Sequence, residues 1–218
     1  MKKILLIVVL ALTCVFQVSA QRTPVKHHGW AFMGLEGGAS TNWYQFNEPY
    51  QRNGAGFGGY YAALHVEFLM GNRQQHGICL DEGVEWLKGK SKAPLMYDGT
   101  VENKVTNLYV KLGYKYTFRN TFFVEVFPQL DIPLNPTVVG PTTEHVSYTP
   151  STTEKTKLGF AIGVSAGRNI TDNFAIVFRL KKSFTDYFNY DAYGNYMLPG
   201  ATKGAIIFQM GMVLGFNM

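Results

Sequence analysis

Nine charged side chains stand where charge is out of place. Glu36, Glu67, Glu85, Glu125 and Asp131, with Lys111, Lys115, Arg179 and Lys181, mostly sit between apolar or small neighbours. Acids and bases in apolar surroundings either work as proton donors and acceptors, or neutralise one another where water does not reach. The first use needs a reacting partner. His65, two positions before Glu67, is the best candidate for a general base. No serine has a convincing local context, and His27, His28, His76 and His145 are scattered. The simpler reading gives His65 a place among the paired charges, and no enzyme is expected. GAGFGG (54–59) imitates a phosphate-cradling loop, but such a loop needs a following helix and usually a lysine, and neither is evident. The His27-His28 pair and scattered histidines make no recognisable metal set, so neither cofactor nor metal is expected.

The second use needs a place without water. The stretch TFFVEVFPQLDIPL (121–134) shows how the chain makes one. Phe122, Val124, Val126, Leu130 and Ile132 fall on one set of alternate positions, and Glu125, Phe127, Gln129 and Asp131 on the other. In a strand these sets point to opposite faces. The same period of two recurs in eight segments, about 29–40, 56–70, 76–90, 104–117, 120–133, 155–168, 173–185 and 204–217. No comparable helical period appears after the N-terminal run. Longer gaps (41–55, 91–103, 134–154, 186–203) alternate with shorter ones (71–75, 118–120, 169–173). Transmembrane β-barrels have this asymmetry, with short periplasmic turns and long outer loops.

Which face is inside follows from side-chain size. In 158–167, Leu158, Phe160, Ile162 and Val164 alternate with Gly159, Ala161, Gly163 and Ser165. A water-soluble exterior carries many charges, which the small set lacks. The small set suits the narrow interior of an eight-stranded barrel, and the oily set suits lipid. The nine charged residues then share inward parity and fill the lumen as an ion-pair network. The expected fold is all-β: an eight-stranded antiparallel up-and-down transmembrane barrel over 29–218, after a short lead at 21–28. Tyr114, Tyr116, Phe118 and Phe122 would contribute to the inner aromatic girdle. Glu82 shares parity with Leu80, Val84 and Trp86 and points toward lipid, with no evident compensation. Lys182 also falls on that side, near enough to the rim to snorkel.

The first twenty residues, MKKILLIVVLALTCVFQVSA, read as a secretory signal peptide cut before Gln21, with Val18 and Ala20 at the small-residue positions. Removing Lys2 and Lys3 takes the formal charge from +5 to +3, too mild to indicate a nucleic-acid partner. Only Cys79 would remain, so no internal disulfide is expected.

YVKLGYKYTFRNTFFVEVFPQLDIPL (109–134), KLGFAIGVSAGRNITDNFAIVFRLKKSF (157–184) and FQMGMVLGFNM (208–218) resemble the outer-membrane β-barrel domain family of Bacteroidota, the PorT-like group. The resemblance implies an eight-stranded barrel similar to OmpA and OmpX, with no activity attached. PorT itself is associated with type IX secretion and gliding. Phe127 stands where that family usually has glycine, and the chain ends Phe216-Asn217-Met218 rather than on an aromatic. Outer loops are where contacts are expected. Trp43, Tyr44, Phe46 and Tyr50 belong to the first, and Tyr187, Phe188, Tyr190, Tyr193 and Tyr196 to the last. Such aromatics suit an envelope or extracellular protein or a glycan, or cover the barrel mouth. The expected setting is the cell outer membrane, with both termini periplasmic, lipid around the wall and a monomeric state. The runner-up roles are a narrow pore or a PorT-type accessory to secretion; a lipid-modifying enzyme ranks last.

Overall fold

The computed structural model describes residues 30–46, 54–70, 75–92, 100–119, 121–139, 147–148, 158–185 and 202–218. They form nine strands: β1 (Ala31–Phe46), β2 (Gly54–Met70), β3 (His76–Lys92), β4 (Thr100–Phe118), β5 (Phe122–Val139), β6 (Ser147–Tyr148), β7 (Gly159–Thr171), β8 (Phe174–Ser183) and β9 (Thr202–Asn217). β6 is a two-residue strand paired antiparallel with Val138 and Val139 at the end of β5. The other eight pair antiparallel with their chain neighbours, and β9 pairs back onto β1. The result is a closed eight-stranded antiparallel barrel. No α-helix occurs among the described residues.

Closure carries a definite stagger. From Gly34 the paired residues run through His65, Asp81, Lys111, Gln129, Ala161, Ser183 and Ala205. Ala205 then pairs with Tyr44, ten positions along β1 from the start. Ten is even, so inward residues meet inward residues after a full circuit. With eight strands this stagger tilts the strands by about 40°.

Alternation sorts the faces as oily-out. Leu35, Leu64, Leu112, Val126, Leu130, Val164, Met212 and Leu214 are exposed on the outside, while the polar and small residues between them are buried. A small apolar cluster of Phe32, Phe123, Val177 and Val213 lies inside the barrel, toward the end with the short turns. At that end Trp30 N donates to Met218 O at 3.2 Å, so both described chain ends meet there.

Several strands reach further than alternation suggested, while β8 stops short of the expected 173–185. β1 continues to Phe46, and β5 to Val139, because backbone pairing proceeds past the point where the apolar face stops. The register of β1 and β2 slips between Ser40 and Thr41, where Gly58 adopts φ 111°, a conformation that favours glycine at a bulge. The turn joining β7 and β8 contracts to Asp172 and Asn173.

Candidate functional site

The site is the lumen. It is built by period two: all eight barrel strands send alternate side chains to one axis, and register decides which meet. Glu36, Glu67, Glu85, Lys111, Lys115, Glu125, Asp131, Arg179 and Lys181 are all buried, and ion pairs run through the set. Arg179 lies at the centre, with Nη2 2.8 Å from Glu36 and 3.2 Å from Asp81. Its Nη1 donates to Gln209 Oε1 at 3.2 Å. Lys111 bridges Asp81 at 2.6 Å and Glu125 at 2.7 Å. Lys115 pairs with Glu67, and Lys181 with Glu85.

Neutral donors satisfy several of the remaining oxygens. Tyr61 donates to Glu36 at 2.9 Å, Ser165 to Glu125 at 2.8 Å and Gln209 to Glu85 at 2.9 Å. Asp131 accepts from Asn107 at 2.9 Å, Gln129 at 2.7 Å and Thr185 at 2.7 Å. Phe127, which takes the place of a glycine in the resembling family, fills space beneath the cations: Arg179 and Lys111 lie 5.3 and 5.2 Å from its ring centre. Opposite it stands Gly163, where a Cβ would come within 2.4 Å of the Phe127 ring. The large side chain on β5 thus requires the absent one on β7.

Among the described residues, two further ionisable members join the nine in ion pairs: His65, already expected in the network, and Asp81, which was not. Asp81 touches His65, Lys111 and Arg179. Its parity with Glu85 was a usable signal. His65 Nδ1 is 2.6 Å from Asp81, which gives the histidine a paired place in the network. β3 pairs with β2 and β4 without a slip around Glu82, and Glu82 is exposed on the lipid side. Lys182 lies on that side too, with Nζ 5.9 Å from the Phe184 ring.

Both rims carry aromatic and polar groups. At the short-turn end Tyr116 and Phe118 stack edge-on at 4.7 Å, and His76 Nδ1 is 2.6 Å from the Tyr114 hydroxyl. At the other end Trp86 meets Tyr60 at 5.6 Å. Beyond them Lys88 lies 2.5 Å and Lys104 3.4 Å from Glu102. The hydrogen bond from Lys88 holds the Glu102 carboxyl below the usual carboxylate range.

The loop assignment needs one correction. Trp43, Tyr44 and Phe46 belong to β1 rather than to the first loop, since pairing with β9 runs up to Phe46. Trp43 is exposed on the wall, as a girdle residue would be. Tyr50, Tyr187, Phe188, Tyr190, Tyr193 and Tyr196 lie outside the described residues.

A closed barrel with lipophilic walls, aromatic rims and a charged interior is a transmembrane β-barrel of the outer-membrane type. The chain belongs to the family described as outer membrane protein beta-barrel domain, whose model matches residues 8–201. Among solved structures it is similar to Ail, the attachment invasion locus protein of Yersinia pestis, in complex with the heparin analogue sucrose octasulfate. That match has 11% identity and TM-score 0.49, and covers 85% of this chain and 99% of that one. It is also similar to OprG from Pseudomonas aeruginosa, at 12% identity and TM-score 0.44, covering 89% of this chain and 99% of that one. No curated protein matches the sequence.

Proposed function

We propose that this outer-membrane barrel is a non-conducting scaffold whose outer loops contact an envelope or extracellular protein or a glycan. The observation that carries this reading is the charged lumen: Arg179, Lys111, Lys115 and Lys181 are each buried against carboxylates, an arrangement that favours a plug over a water-filled path. In this reading residues 1–20 are a leader removed on export, the short turns and both chain ends face the periplasm, and the barrel is a monomer with no catalytic role. The loop aromatics, Tyr187 to Tyr196 above all, supply the contact surface. Membership of the PorT-like group of Bacteroidota rests on the resemblance of 109–134 and 157–184.

The test is single-channel conductance of the refolded barrel in planar bilayers, after heat-shifted gel mobility has shown that it is folded. Absence of steady conductance is expected, and the search then moves to loop partners. Steady openings would overturn the plugged lumen and put the narrow-pore reading first.

A further inference from the structure

Near the short-turn end, two short motifs on neighbouring strands form a square. His65-Val66-Glu67 on β2 faces Cys79-Leu80-Asp81 on β3, with Glu67 paired to Cys79 and His65 to Asp81. All four outer corners of the square point into the lumen, and all four are buried. Direct cross-strand neighbours bring their side chains to within a few ångströms. Here ligand atoms of His65, Glu67 and Cys79 all lie within 4.8 Å of one another.

Each corner is prepared for a different task. Asp81 sits 2.6 Å from His65 Nδ1. That contact fixes the imidazole so that Nε2 is turned toward Glu67, 3.9 Å away. A carboxylate behind a ligating histidine is the usual support for a metal-bound imidazole. Glu67 gives one oxygen to Lys115, while its Oε1 accepts no hydrogen bond although the residue is only 2% exposed. Gly77 keeps room for that oxygen, since a Cβ there would come within 2.4 Å of it. Cys79 contributes a buried thiol.

Access and charge agree with a small cation. A cavity of about 30 Å³ borders His65 and Glu67 and reaches Thr171 and Asp172 at the short-turn end, which is room for a coordinated water. Six described carboxylates are buried in the lumen (Glu36, Glu67, Asp81, Glu85, Glu125, Asp131) against four buried lysine and arginine side chains (Lys111, Lys115, Arg179, Lys181). With His65 neutral as a ligand, a Cys79 thiolate would raise the negative excess from two to three, and one dication would bring it down to one.

We propose that His65, Glu67 and Cys79 bind a divalent metal of borderline softness, with zinc the best match to this nitrogen, oxygen and sulfur set. Asp81 orients the histidine, Lys115 offsets the thiolate, and water from the cavity takes the fourth position. On binding, the thiol proton leaves through the short-turn mouth. The site is independent of whether the lumen conducts.

Cobalt(II) is the probe, titrated into the reduced barrel refolded in detergent. Wild type is expected to show a thiolate-to-cobalt charge-transfer band and tetrahedral d–d bands, saturating at one metal per barrel and erased by zinc. Cys79→Ser keeps every ion pair, so it should remain folded by heat-shifted mobility but lose the charge-transfer band. His65→Gln should weaken cobalt binding by about tenfold or more. A wild-type barrel without the charge-transfer band would overturn the site. So would the same band in Cys79→Ser, or unchanged cobalt affinity in His65→Gln. In those cases His65 serves only as a cation between Asp81 and Glu67.

Discussion

Arg179 shows what a single residue does in this lumen. It touches Glu36, Asp81 and Gln209 and stacks over the rings of Phe127 and Tyr61. Its guanidinium can serve several acceptors at once, which a lysine cannot match. The gain of such a cluster over an apolar core is small, because desolvating the charges offsets most of their attraction. Removing one partner is different, since the others stay buried. Arg179→Met is therefore expected to destabilise the barrel by about 3–5 kcal/mol, read as a lower urea midpoint in folded micelles. An unchanged midpoint would mean that Glu36 and Asp81 find protons or water instead. Arg179 and the other eight charged residues were legible from parity and local context. Their partners were not, because Arg179 and Glu36 stand 143 positions apart.

Among the elements, β3 holds the least comfortable residue. Glu82 lies between Leu80 and Val84 on the outer face, beside Leu64 and Val110 on the flanking strands. It is six positions from His76 at one rim and six from Lys88 near the other. With about 2.5 Å of height per tilted residue, that puts it at the middle of the apolar band. A charge there costs stability, less for a carboxylate than the ~2–4 kcal/mol of a lysine at the same depth. Glu82→Leu should therefore raise the unfolding midpoint in lipid bilayers while leaving the lumen untouched. A lower midpoint would show that Glu82 makes a favourable contact in the membrane. Alternation puts Glu82 on the outer face, where the structure also has it, and β3 keeps a regular register there. Strand ends were less legible. Apolar alternation reports only the stretch in contact with lipid, whereas β1 and β5 continue pairing into water.

At the scale of the molecule, closure does the decisive work. A membrane offers no water to unpaired backbone groups, so the sheet is stable only when β9 meets β1. The contact runs from Phe32 against Asn217 to Phe46 against Thr202. A chain ending before Thr202 would leave β1 and β8 with open edges. It is expected to lose the compact, heat-shifted gel form entirely, and retention of that form would mean that the remaining strands close without β9. Closure also narrows the interior, which is why Phe127 needs Gly163 and why so many charges touch.

Period two, short gaps against longer ones, and the oily or small character of alternate positions were enough to determine an eight-stranded barrel with its charges inward. Those signals are local, repeated along the chain and set by the two-residue geometry of a strand. The tertiary structure alone decided the stagger of ten, the meeting of His65-Val66-Glu67 with Cys79-Leu80-Asp81, and the partners of each buried charge. These depend on the register between strands, and register is settled by closure of the whole ring rather than by any one segment.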